Sequence, residues 1–306
     1  MRLLRKRAFV QLGAWRPALQ AETTVLDLNP RSVTAWLLLM ARALMGRRTL
    51  VWGHIHPQAG PSSKTALLRR GMRRIANGTI SYTYRDAEKA LSDLPGSPVW
   101  TAPNSLYRKQ RILPAIDASL EPRDSVVYVG RFAPEKKVAL LVEGFAVAAK
   151  SQPDMKLILI GGGSEESNLR QLASQLGVEE KVEFAGWIDE LEGLKPYYGR
   201  AFCSASPGFA GLGLTQSLGF GIPMLVADAE PHSPEIELEV TGGVSYFSSD
   251  SKKELAEALH TKWEERYRLP DALLSDYTKV RYSAEAMARG LQAALEGRML
   301  SDEDVR

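Results

Sequence analysis

Apolar residues along this chain fall into short blocks separated by stretches of helical period, and the pattern is sharpest after residue 125. Ser125–Val129 is almost wholly apolar. A second block, 157–160, ends in Gly161-Gly162-Gly163, and blocks at 182–184, 201–205 and 223–227 continue the series. Between them, 138–149 sets Leu140, Leu141, Phe145 and Ala148 on one helical face, and 169–176 repeats the period. Short apolar strands alternating with helices predict a parallel sheet covered on both faces. Ligands of such sheets bind beyond the carboxyl ends of the strands, which directs attention to the loops after residues 129, 160, 184, 205 and 227.

The front of the chain carries the same alternation less regularly. Strands are predicted at 23–28, 49–52 and 79–82, with a further one at 99–101. Ser32 is placed to cap a helix over Val33–Leu44 that Gly46 stops, and 64–76 reads as a basic helix. Three prolines in 95–103 mark a domain boundary. The expected organisation is a first domain over 1–103, a second over 104–280, and a terminal segment, 281–306, packing back toward the first.

Charge sharpens that division. Residues 1–100 hold sixteen Lys/Arg against five Asp/Glu, a balance of +11, while the remaining 206 hold twenty-three against thirty-one, or −8. The basic part suits an anionic partner. On helix 64–74, Arg69, Arg70, Arg73 and Arg74 are expected to share one broad solvated side that approaches an anionic membrane, with Ala66, Leu67 and Met72 supplying apolar contacts and Leu68 and Ile75 available to the core. Aromatics do not alternate with these cations, so nucleic acid is not expected. No apolar run reaches the roughly 18–20 residues of a membrane span. With no such run the protein is expected to be soluble or peripheral to the membrane, and a single cysteine, Cys203, excludes an internal disulfide and suggests a reduced, cytoplasmic setting.

Four segments carry candidate chemistry. In Gly130-Arg131-Phe132-Ala133-Pro134-Glu135-Lys136, directly after a strand, Arg131 and Lys136 can converge on an anion. The glycines at 161–163 allow close backbone approach, but their spacing is not that of a dinucleotide fingerprint. The loop from Ser206 to Gly211 feeds a short helix whose N–H groups can meet a diphosphate without a metal, and Gln216 on that helix can bond a sugar or ribose hydroxyl. His232 and Glu235 follow the strand at 223–227. In the basic part His54 and His56 follow the strand ending at Trp52. Four histidines and one cysteine, widely separated, make no metal cluster, and no Asp-x-Asp pair occurs in these segments, so no metal or other cofactor is expected.

These segments, with Gly186-Trp187 and Tyr197-Tyr198, resemble family-4 glycosyltransferases of the GT-B fold, retaining enzymes that use nucleotide sugars; the resemblance spans roughly residues 22–296 and is closest to a polysaccharide or glycolipid subgroup. It implies two facing Rossmann-like domains. Arg131 and Lys136 would neutralise the donor diphosphate, and His54 would face the transferred sugar. Gly130, Gly162, Gly186, Trp187, Phe209, Ala210, Gly211, Leu212, Gln216 and Glu235 would line the donor site, with His232 and Asn104 as further candidates. The implied acceptor is a lipid-linked or polysaccharide hydroxyl. Two departures stand out. The family's two glutamates, with seven residues between them, fall on Gly208 and Gln216, and the acceptor domain is expected to be incomplete before Thr24. The rival readings are a GT-B nucleotide-sugar epimerase and a truncated, non-catalytic sugar-nucleotide-binding protein.

Overall fold

Thirteen-atom helical turns and parallel ladders build two α/β units in the computed structural model, which describes residues 2–3, 8–55, 64–115 and 123–301. The first unit comprises Met1–Asn104 and Ala284–Arg306, the second Ser105–Ser283.

The first unit opens with a two-residue antiparallel pair, β1 (Arg2–Leu3) and β2 (Ala8–Phe9), and helix α1 (Trp15–Gln20). A four-stranded parallel sheet follows in the order β3 (Thr23–Asp27), β4 (Arg48–Gly53), β5 (Gly78–Ser81), β6 (Val99–Thr101). Its crossovers are α2 (Val33–Leu44), α3 (Lys64–Ile75) and α4 (Tyr84–Asp93). Ser32 Oγ accepts the Ala35 N–H and Thr83 Oγ1 accepts the Asp86 N–H, each filling one of the orphan donors at a helix start. One core gathers Leu26, Leu39, Val51, Met72 and Ala90. On the other face Leu50, Ile80 and Trp100 meet Ala293 and Ala294 of α11 (Ala284–Glu296). Gly290 makes that approach possible, since a Cβ there would lie 1.9 Å from the Thr101 carbonyl oxygen.

The basic helix α3 differs from expectation. Arg73 is turned inward, only 2% exposed, and donates to the Ala90 carbonyl at 2.7 Å while pairing with Asp93 at 3.5 Å. Arg69 donates to the His54 carbonyl and Arg70 to that of Asp93. The four arginines therefore do not form one solvated side, Met72 lies in the core and not on the outer face, and Leu68 and Ile75 are exposed rather than in the core. Cations that satisfy carbonyls of neighbouring segments need not point to water, and helical spacing alone cannot reveal those acceptors.

In the second unit all six strands are parallel: β7 (Ser125–Val129), β8 (Lys156–Ile160), β9 (Val182–Gly186), β10 (Ala201–Ser206), β11 (Met224–Ala227) and β12 (Val244–Phe247). They lie in the order β9-β8-β7-β10-β11-β12. One face is covered by α5 (Val138–Ala148), α6 (Glu166–Gln175) and α9 (Lys252–Glu265), where Phe145, Leu169 and Leu255 pack with Phe202 and Cys203. The other holds α7 (Leu191–Arg200) and α8 (Leu212–Gly219), with α10 (Ala272–Arg281) beyond. Burial raises the Cys203 thiol pKa, which suits a packing role and not a nucleophile. Among the described residues no helix is long and apolar enough to cross a membrane.

Candidate donor site

The strand order of the second unit runs outward from β7 in both directions, so its topological switch point lies between β7 and β10. The loops leaving those two strands lead into different helices, α5 and α8, and the space at the strand ends there is the crevice position where doubly wound sheets bind ligands. Gly130 to Lys136 and Ser206 to Gly211 are those two loops.

Glycines permit the loops to touch. A Cβ on Gly161 would lie 1.9 Å from the Gly130 carbonyl oxygen, and one on Gly163 would lie 2.3 Å from that of Phe132. The resulting ladder is Gly130 N–H to Ile160, Phe132 N–H to Gly162 and Gly161 N–H to Gly186, at 2.9, 2.9 and 2.8 Å. The outer two glycines are thus packing residues, whereas a Cβ on Gly162 would meet only Glu166 Oε2, at an ordinary 3.9 Å. Gly208 meets the first loop in the same way, as a Cβ there would lie 2.5 Å from the Glu135 carbonyl oxygen.

Lys136 joins the two loops. Its Nζ donates to the Phe209 carbonyl at 3.0 Å and sits 4.3 Å from the centre of the Phe209 ring. Burial, and then the nearby charge of Arg131, lower its pKa from the ordinary lysine value. Two of its three N–H donors remain for an anion. Arg131 is 67% exposed and only loosely paired with Glu135 at 3.9 Å, so its guanidinium is available. The neighbouring Lys137 is not, since it pairs with Glu230 at 2.6 Å and Asp250 at 2.8 Å. Gly211 caps α8 with no side-chain acceptor, leaving first-turn N–H groups beside the crevice.

His232 holds the glycine loop in shape. Its Nδ1 accepts the Ala210 N–H at 3.1 Å, and its Nε2 lies 2.7 Å from the Ala227 carbonyl, a pattern that requires the neutral ring with the proton on Nε2. Ser233 N–H returns a bond to the Ala210 carbonyl at 2.9 Å. Glu235 is buried at the start of the 3₁₀ segment Pro234–Thr241. Gln216, 7% exposed, lies on α8, where its Oε1 accepts from the Tyr198 hydroxyl at 3.2 Å and its Nε2 donates to Tyr107 at 2.5 Å. Tyr107 and Ser233 carry no sequence signal; only the fold brings them to the site's edge. Leu212 begins α8, and Trp187, exposed beyond β9, donates to Asp189 at 2.5 Å.

The remaining candidates belong to the first unit. His54 is exposed at the end of β4, its ring 5.1 Å from that of Tyr82. Asn104 closes that unit, and His56 lies outside the described residues.

The family model for glycosyl transferases group 1 matches residues 110–273, more than half of the chain and the whole of the crevice just described. The chain belongs to that family. A relative from Neurospora crassa, named GDP-Man:Man(3)GlcNAc(2)-PP-Dol alpha-1,2-mannosyltransferase, is 29% identical over 266 residues, covering 80% of this chain and 43% of its own length. Its human namesake is 28% identical over 161 residues, covering 48% of this chain and 32% of its own length. The chain thus spans less than half the length of these two relatives. Among solved structures, Anabaena Alr3699/HepE in complex with UDP superposes with a TM-score of 0.67 at 16% identity, covering 92% of this chain and 80% of that one. The family match and this likeness make the two parallel α/β units a GT-B-like fold, with four strands in the first sheet and six in the second.

Proposed function

We propose that this group 1 member transfers a sugar from a nucleoside-diphosphate sugar to an acceptor hydroxyl, with retention at the anomeric carbon. The observation that carries the reading is Lys136: partly buried at the switch point, bonded to the glycine loop and beside Arg131, it prepares a positive site before any ligand arrives. The diphosphate would take Arg131 as a fork, Lys136 as a point charge and the first-turn N–H groups of α8. Charge that develops on the departing phosphate is then stabilised by groups that need no reorganisation.

Around this clamp, Gly130 and Gly162 admit the backbone of the loops close to the donor. Phe209, Ala210, Gly211 and Leu212 bound the sugar and diphosphate, and Gly186 and Trp187 border the base. Gln216 reaches a ribose hydroxyl with the amide hydrogen and lone pair that the two tyrosines leave. Glu235 lies deeper in the donor site. His232 acts as a positioning residue through Ala210, and His54 and Asn104 are assigned to the sugar and acceptor side. With glycine at 208 there is no carboxylate to attack the anomeric carbon, so the leaving phosphate is the proposed acceptor of the hydroxyl proton.

The acceptor is proposed to be lipid-linked or a polysaccharide, which the Neurospora relative supports through a name whose acceptor carries PP-Dol. An anionic membrane surface would be the partner of the basic first unit. The test is proton NMR of the product formed from an α-linked donor: an α-anomeric coupling is expected, and a β-anomeric product would overturn retention. Gly208 favours a second reading, a non-catalytic nucleotide-sugar binder, which predicts donor binding with no product from any acceptor.

A further inference from the structure

Helix α2 is apolar on its outer face as well as its inner one. Of its twelve residues, VTAWLLLMARAL, only Thr34 and Arg42 are polar, and both are buried. Arg42 is drawn inward by carbonyls: it donates to Ala18 at 2.6 Å, Ala21 at 2.9 Å and Arg48 at 2.5 Å, and to Thr49 Oγ1 at 2.9 Å. The outward stripe is Leu37, Met40 and Leu44, which are 45%, 43% and 91% exposed. A surface helix normally shows water its polar face, so this stripe lacks the solvent it is built for.

Helix α3 lies beside it, close enough that a Cβ on Gly71 would meet the Trp36 ring at 3.4 Å. Its outward side adds Leu67, 72% exposed, and Leu68, 47% exposed. Arg70 and Arg74, three and seven positions after Leu67, are both exposed along the same side. The two helices and the segments joining them carry charge of one sign, and the carboxylates that reach α3 from outside, Asp93 at Arg73 and Asp27 and Asp86 near Arg69, face its inward arginines. From Leu28 to Arg85 the sequence contains ten Lys/Arg and no Asp or Glu. A second copy of the chain would bring cations against cations, whereas a phospholipid surface offers an apolar layer beneath a layer of anions.

We infer that the α2–α3 face docks on an anionic bilayer. Leu37, Met40, Leu44, Leu67 and Leu68 enter the acyl boundary, and Arg70 and Arg74 meet the phosphates. The assignment rests on the proposed membrane partner, not on the donor chemistry; it keeps Leu67 of the basic helix and replaces Met72 and Arg73, both buried, with the exposed apolar stripe of α2.

Flotation of the whole chain with vesicles of phosphatidylcholine, alone or mixed with phosphatidylserine, tests it at low and high salt. The wild type is expected to float with the mixed vesicles only, and less at high salt. Arg70→Ser/Arg74→Ser should weaken partitioning about thirty-fold, the loss of two surface charges. Leu37→Ser/Leu44→Ser changes two exposed positions and should weaken it about a hundredfold, with the far-ultraviolet circular dichroism and melting curve unchanged. Anionic binding that survives the loss of Leu37 and Leu44 would overturn this face while leaving the bilayer as a partner. No binding to either vesicle would overturn both. A wild-type dimer dispersed by the same leucine variant would identify a second copy as the occupant and also overturn the inference.

Discussion

Gly208 stands against Glu135 so closely that a Cβ would lie 2.5 Å from its carbonyl oxygen and 3.0 Å from the carbonyl carbon of Lys136. The backbone of the loop proposed as the phosphate clamp therefore fills the space that a side chain at 208 would need. Gly208→Glu should lower stability by about 1–3 kcal/mol and should not raise turnover, because the side chain can enter only by displacing Pro134–Lys136. Urea denaturation and turnover of the variant, measured together, check this; a stable variant with higher turnover would contradict it.

The state of Lys136 sets a pH limit on donor binding. It must be charged to hold a diphosphate, and in the free protein burial and Arg131 hold its pKa below the ordinary lysine value. Affinity is therefore expected to be full below that lowered pKa and to fall as pH rises through it, earlier than an unperturbed lysine would allow. Lys136→Arg should carry the fall to higher pH. Calorimetric titration with the nucleotide across the alkaline range checks the order of the two curves.

Gln216 is expected to accept a carboxylate in its place but not a hydrocarbon. In Gln216→Glu both tyrosine hydroxyls can donate to the new oxygens, so stability should change little and donor affinity should stay within a few-fold. Gln216→Leu strips both partners from the hydroxyls of Tyr107 and Tyr198 and should cost about 1–3 kcal/mol for buried polar groups left unmatched. Thermal melts and donor KM of the two variants distinguish them.

Arg42 is the fastener of the first unit. Arg42→Met removes the guanidinium shared by the carbonyls of Ala18, Ala21 and Arg48; Ala18 keeps Thr24 Oγ1 and Ala21 a longer bond from Arg47, and each hydrogen bond lost from the charged group is worth about 1.5–3 kcal/mol. Loss of a cooperative urea transition for the first unit is the expected outcome; an unchanged midpoint would contradict the assigned role.

Much of the second unit was legible in the sequence because buried parallel strands write themselves as unbroken apolar runs closed by glycine. Ser125–Val129 and Val33–Leu44 were readable to the residue, the latter because Ser32 and Gly46 bound it. Helices α4, α7 and α9 left weaker traces. Polar residues dominate α4 and α9, and Pro196 interrupts the helical pattern of α7. Three facts of the site and its surroundings were not legible at all, each for want of a distant partner. Arg73 finds its acceptor 17 residues away, Lys137 its carboxylates 93 and 113 away, and Gln216 its tyrosines 18 and 109 away. A sequence names the charged group; the fold alone says whether that group is spent internally or left for a ligand.

The most direct test of the donor assignment is calorimetric titration of a panel of UDP- and GDP-sugars into the wild type, Arg131→Ala, Lys136→Ala and the double variant. One donor is expected to bind the wild type at one site per chain. Each single variant should lose about 1.5–3 kcal/mol, the worth of a charge-assisted hydrogen bond, and the double variant should show no measurable binding. Undiminished affinity in the double variant would contradict the account.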